Sequence, residues 1–189
     1  MTAAPELAPL PPFAAWRFVD AVDGFEVVFF EGRLLRGYTS AIEDGRPYAV
    51  RYRISLDEHW RTREVHVSSD SVEGRRSTVL VADGHGHWTV DGVEAPHLYG
   101  LLDVDLEASA CTNTLPIHRL ALPDGKAVPA SAVYVRALGL SVTRLDQAYR
   151  RVGSRRFDYS SDGGAFRAVL EYDAAGLIID YPGFAVRFA

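Results

Sequence analysis

Between Tyr48 and Leu56 the chain alternates without interruption. Tyr48, Val50, Tyr52, Ile54 and Leu56 fall on one face of an extended strand; Ala49, Arg51, Arg53 and Ser55 fall on the other. Successive Cβ atoms of a strand point to opposite faces, so this period of two predicts a half-buried strand. Val65 and Val67 alternate with Glu64 and His66 in the same way. Thr78 to Ala82 and Trp88 to Val90 flank the turn Asp83-Gly84-His85-Gly86. Phe25 to Phe30 reads as apolar on both faces, the pattern of a strand covered on both sides.

The C-terminal third predicts a meander. A strand from about Ser141 to Arg151 turns at Gly153, and Arg155 to Ser160 turns at Ser161-Asp162-Gly163-Gly164. Phe166 to Tyr172, Leu177 to Tyr181 and Phe184 to Phe188 follow, separated by Asp173 to Gly176 and by Pro182-Gly183. Short strands punctuated by Gly, Asp and Pro at this spacing indicate an antiparallel sheet curving towards a barrel or sandwich. No segment sustains a 3.6-residue apolar period, and only His97 to Leu102 suggests a helical turn. Asp103 to Leu120 packs Ser, Thr and Asn between apolar residues and contains Pro116, which cannot donate to a central ladder. It reads as strand, irregular crossing, strand. The expected fold is all-β: an antiparallel curved sheet forming a half-barrel or barrel-like structure with little helix. Residues 1–12, with four prolines, read as an extended and poorly ordered tail, and residues 13–189 as a single β domain.

Composition narrows the partners. A chain of 189 residues hides roughly 70% of its unfolded surface and needs no disulfide or metal staple. Its net charge of -5 argues against the concentrated positive field that nucleic acid requires. Cys111 is the one cysteine, so no internal disulfide forms. The first twelve residues lack the basic start and apolar run of an export signal, and no stretch is long enough to span a bilayer. The expected address is the cytoplasm.

Several constellations could carry chemistry. Asp103 and Asp105 share a strand face and could do acid–base work, or meet arginines. Thr112, Asn113 and Thr114 could hydrogen-bond a sugar, or satisfy the backbone of an irregular segment. His85 and His87 are too few for zinc, and no other residue has ligand-like spacing, so no metal and no cofactor are expected. Ser109, Cys111 and His118 lie close in sequence but without a nucleophile elbow. Arg144, Arg150, Arg151, Arg155 and Arg156 surround Gly153 and either pair with Asp146 and Asp158 or bind an anion. Asp57-Glu58-His59-Trp60-Arg61-Thr62-Arg63 offers an aromatic plane beside two guanidinium forks, suited to a sugar or acidic head group and equally to a hairpin corner.

Four of these segments together resemble one family. Asp57-x-x-Trp60-Arg61-Thr62-Arg63, Asp103-Val104-Asp105-Leu106, Thr112-Asn113-Thr114-Leu115-Pro116-Ile117 and Gly176-Leu177-Ile178-Ile179-Asp180-Tyr181-Pro182-Gly183 are similar, in that order, to the bacterial putative glycolipid-binding family, formerly a domain of unknown function. The likeness runs from about Trp16 to the C-terminus. Ala110 and His118 depart from the proline and arginine expected at those positions. The resemblance implies a half-barrel similar in shape to lipoprotein carriers, and a partner that is an amphipathic small molecule such as a glycolipid. An acyl chain would partition against the concave apolar face. The residues expected to orient the head group are Trp60, Arg61, Arg63, Asp105 and Asn113. The alternatives are an enzyme acting on a lipid or sugar derivative, and a protein-interaction module.

Overall fold

The computed structural model describes residues 7–20 and 22–189. Its strands are β1 (Phe13–Phe18), β2 (Val22–Glu31), β3 (Leu34–Glu43), β4 (Arg46–Leu56), β5 (Thr62–Ser71), β6 (Gly74–Ala82), β7 (Trp88–Val90), β8 (Val93–Glu94), β9 (Asp103–Leu106), β10 (Ala127–Pro129), β11 (Ala132–Val135), β12 (Val142–Leu145), β13 (Gln147–Arg151), β14 (Arg156–Ser161), β15 (Phe166–Tyr172), β16 (Ile178–Tyr181) and β17 (Ala185–Arg187). Fourteen of them form one open antiparallel sheet in the order β10-β13-β14-β15-β16-β17-β1-β2-β3-β4-β5-β6-β7-β8. Both edges are short, and β10 ends in Pro129, which leaves little free ladder for another chain to pair with. The protein is therefore all-β, as its alternation predicts, and the sheet curves without closing into a barrel.

Ordinary side-chain packing explains the curvature's inner face. Tyr48, Val50, Tyr52, Ile54 and Leu56 are all buried, as the period of two requires. Burying such side chains contributes about 1.5–3 kcal/mol each. What covers them is the chain's own middle. A second, three-stranded sheet, β12-β11-β9, lies with a short helix, α1 (Thr114–Arg119), inside the same hydrophobic core as the large sheet. The small sheet arises from a bent hairpin. Residues 127–129 pair with 148–150 and residues 132–135 with 142–145, and at Ala130–Ser131 and Asp146 both strands leave one sheet for the other. Ser131 Oγ donates to Asp146 Oδ1 at 2.8 Å across that corner.

Three expectations change. The predicted single strand Ser141 to Arg151 is β12 and β13, split at Asp146, because its alternation runs on through the corner. The second strand expected near Pro116 is α1. A 3-10 turn over Cys111–Asn113 feeds directly into the helix, and Pro116 sits in the first helical turn, where its missing N–H costs nothing. Strand β2 is not covered on both faces: Val28 and Phe30 are buried, whereas Phe25 and Phe29 are exposed. The inward row of β2 also includes Glu26, which has no exposed surface. In the described part of the tail, Ala8 N–H donates to Ala174 O at 2.8 Å and Leu7 and Leu10 pack on the core, so residues 7–12 are held against the domain.

Gly37 makes one long reach possible. It pairs with Val28 on one side and Tyr52 on the other, and the Tyr52 ring lies across it towards β2. A Cβ at Gly37 would stand 1.9 Å from the Tyr52 ring. Gly37→Ala must displace that buried ring, and we expect a loss of about 3 kcal/mol, roughly 6–12 °C in Tm. Thermal denaturation checks this; an unchanged midpoint would contradict the packing described.

Candidate ligand-binding site

Glu26 explains how the middle of the chain is held in place. Its Oε2 accepts the backbone N–H groups of Ala110 at 2.9 Å and Cys111 at 3.3 Å, and Tyr52 Oη donates to its Oε1 at 2.6 Å. Tyr52 Oη also lies 3.2 Å from Ser109 Oγ, and Thr39 Oγ1 donates to Ala108 O at 2.7 Å. Three inward polar side chains of β2, β3 and β4 thus satisfy the turn 108–111, which would otherwise bury unpaired backbone groups. Burial pushes the Glu26 carboxyl up to about 7 against the pull of these hydrogen bonds.

Beyond this turn a cleft of about 500 Å³ opens at one end of the curved sheet. Its floor is Asp105, Ser109 and Asn113, and the small sheet supplies Tyr134 and Arg144 along one side. The opposite side is an aromatic wall. Tyr159, Phe166 and Tyr181 have ring centroids 5.9–6.0 Å apart, and Phe184 stands 5.1 Å from Tyr181. Tyr48, Glu43, Glu107 and Arg136 complete the rim.

Asp105 is the chemical centre of the cleft. It accepts a hydrogen bond from Thr112 Oγ1 at 2.8 Å, and burial, reinforced by the charge of Asp103, raises its carboxyl to about 7. Near neutrality it can therefore donate or accept a proton-bearing contact. Glu107 is more committed: it accepts from Ala137 N–H at 2.7 Å and pairs with Arg136. Asn113 Nδ2 donates to Tyr149 Oη at 2.7 Å, which fixes its amide. Carboxylates and amides beside aromatic faces suit a polyhydroxylated ring, whose hydroxyls need paired partners and whose C–H faces stack on aromatics.

The residues anticipated from sequence divide into two groups. Asp105 and Asn113 come together in this cleft. Trp60, Arg61 and Arg63 lie at the other end of the sheet. Tyr48, on the cleft, and Leu56 are eight residues apart on β4, about 27 Å at strand rise, and Trp60 lies past Leu56. There Trp60 stacks on His118 with centroids 3.6 Å apart and Arg33 covers its ring at 4.4 Å. Arg61 donates to Gly84 O at 3.1 Å and Arg63 to Ala82 O at 3.1 Å, so both brace the turn after β6. Asp103 likewise serves structure, gripping Arg119 through two bonds of 2.7 Å. His118 donates its Nε2 proton to Ala175 O at 2.8 Å, and burial lowers its pKa to about 4. Ser109 and Cys111 sit by Glu26, apart from His118. Arg144 and Arg150 pair with Asp146 and Asp158. Among the described residues no group of three or more His, Cys, Asp or Glu is placed to hold a metal ion, and no helix is long and apolar enough to cross a membrane.

Residues 13–187 match the family described as putative glycolipid-binding. The chain belongs to that family. A solved structure of similar fold is that of a DUF1089-family protein from Pseudomonas aeruginosa, determined by crystallography at 1.80 Å. It is 37% identical, superposes with a TM-score of 0.83, and the alignment covers 92% of this chain and 95% of that one. No curated protein matches the chain. In this family member the aromatic wall leaves no local sequence signal, because Tyr159, Phe166 and Tyr181 come from three separate strands. Glu26 was visible only as a lone carboxylate in phase with Val28 and Phe30.

The burial of Glu26 has a pH signature. Its folded pKa lies above the unfolded 4.5, so its contribution to stability is complete below about 4.5 and is lost as pH rises through about 7. Asp105, raised from 3.8 to about 7, acts in the same direction. Glu26→Gln keeps an acceptor for Ala110 N–H without the charge. Relative to this variant, the wild type should lose about 3 kcal/mol between pH 4 and pH 8 in urea unfolding. Parallel stability curves for the two proteins would show that Glu26 titrates normally.

Proposed function

We propose that the cleft around Asp105 binds the sugar head group of a glycolipid. The observation that carries this reading is the lining: a buried carboxyl, Ser109 and Asn113 on the floor, facing a wall of Tyr159, Phe166, Tyr181 and Phe184. Membership of the glycolipid-binding family supports the same ligand class. The inward faces of β4 and β15 are largely sealed by the chain's own middle, with Val50, Ile54, Leu170 and Tyr172 buried. The acyl chain then has the mouth of the cleft to lie on, over Phe166, which is 37% exposed, and Phe184. Our reading leaves Trp60, Arg61 and Arg63 outside the site, since their contacts are to His118 and to backbone carbonyls.

A second reading, acid–base chemistry on the bound sugar, is favoured by one feature: Asp105 is a buried carboxyl raised to about 7, where a group can both give and take a proton near neutral pH. Glycoside cleavage needs a second carboxylate placed across the scissile bond. The cleft offers Glu43, whose carboxyl is raised by partial burial and by Glu107.

Alkyl glucosides of increasing length, titrated below their micelle concentrations by calorimetry, test the proposal. Binding should strengthen from butyl to octyl, at up to about 0.8 kcal/mol per methylene buried, and then level off, because the apolar mouth is short. Asp105→Asn should weaken it roughly tenfold, while Arg63→Ala leaves it unchanged. Absence of saturable binding by folded protein would refute the head-group site. Release of free glucose on prolonged incubation, lost in Asp105→Asn, would favour the enzymatic reading.

A further inference from the structure

The outer face of strands β1 to β4 carries an apolar load that its fold does not use. Phe13, Phe25, Phe29, Tyr38 and Ile42 point away from the core, and each has between 41% and 50% of its surface exposed. They form a continuous field, because register brings them side by side. Phe13 pairs with Phe29, Val27 with Tyr38, and Asp23 with Ile42. Phe29 and Tyr38 meet edge to face, with centroids 6.2 Å apart. Isolated exposed hydrophobics are ordinary, but a contiguous aromatic field on a sheet face is a mark of an interaction surface.

Arginines are interleaved with it. Arg17 pairs with Phe25, Arg51 with Tyr38, and Arg53 with Arg36 beside Phe29. Arg36 is matched by Glu31, whereas Arg17, Arg51 and Arg53 take part in no salt bridge among the described residues. The outer rows of β1 to β4 set Arg17, Arg36, Arg51 and Arg53 against Asp23 and Glu31, so this face is net basic on a chain that as a whole stands at -5. We propose that the convex face of β1 to β4 docks on a bilayer surface containing anionic lipid. Aromatic rings enter the head-group boundary and the arginines meet lipid phosphates. A second copy of the chain fits the face less well. Two-fold pairing presents the same patch to itself and sets arginines against arginines, while an anionic bilayer neutralises them. The proposal goes beyond the cleft reading and does not need it, since the lipids that test it carry no sugar.

Flotation of the full chain with vesicles of seven parts phosphatidylcholine to three parts phosphatidylglycerol is the experiment. The protein should partition into these vesicles, prefer them to pure phosphatidylcholine, and dissociate as salt is raised. Arg51→Glu combined with Arg53→Glu should weaken partition at least about tenfold, reckoning about 1 kcal/mol per arginine. Phe25→Ser with Phe29→Ser should do likewise. All four positions are exposed, and circular dichroism with an unchanged Tm confirms that the variants fold. Failure to partition, equal partition into neutral vesicles, or indifference to both double variants would overturn the proposal. A dimer in light scattering that Phe25→Ser with Phe29→Ser dissolves would overturn it too, assigning the face to a second copy.

Discussion

Glu26 sits on the inner face of the large sheet with no exposed surface, and the N–H groups of Ala110 and Cys111 point at its carboxylate from the segment that crosses that face. A buried carboxyl left alone is costly enough to be excluded from most cores. Here it is tolerated because it supplies acceptors to a turn that cannot pair with any strand. The arrangement is reciprocal. The turn satisfies the carboxyl, Tyr52 reaches it only because position 37 lacks a side chain, and the sheet thereby gains a fixed attachment for everything from Ala108 to Arg119.

The location of the cleft follows from that attachment. Once residues 108–119 are tied down along the inner face, the apolar rows of β4 and β15 close over a dry core, and open space remains at the end of the sheet where β9 meets the tyrosine wall. Asp103 and Asp105, two residues apart on β9, diverge in consequence. The first meets Arg119 at the end of α1 and becomes a buried ion pair. The second stays in the cleft with a hydroxyl, and burial lifts its carboxyl to about 7, so that both its protonated and its ionised form are present near neutral pH.

Much of the sheet was legible in the chain because its turns are chemically explicit. Gly153, Gly163-Gly164, Asp173 to Gly176 and Pro182-Gly183 separate strands β13 to β17 to within a residue or two of where they fall. The alternation of β4 likewise named its buried row. Strand β2 misled because Phe25 and Phe29 are as apolar as Val28 and Phe30, so composition cannot say which phase faces inwards. The bend at Asp146 leaves no trace in alternation, since a strand that changes sheets keeps its period. Pro116 breaks a strand ladder and is equally at home in the first turn of a helix, so the residue alone does not choose between them. For the site, Asp105 and Asn113 stood out as polar residues in an apolar insert. Trp60 and Arg63 looked similar, but only the strand order reveals that the β4–β5 connection lies at the opposite end from Asp105. The aromatic wall, drawn from β14, β15 and β16, is a product of topology and could not be assembled from local pattern.

The central claim is that a ligand enters at the rim, beside Asp105, and leaves the Glu26-anchored segment where it is. A crystal soaked with octyl glucoside tests this most directly. The account predicts density for a sugar ring within hydrogen-bonding reach of Asp105 and against Tyr159 or Tyr181, with the Glu26 contacts to Ala110 and Cys111 intact. An alkyl chain found against Val50 and Ile54, with residues 108–119 displaced from the sheet, would contradict it.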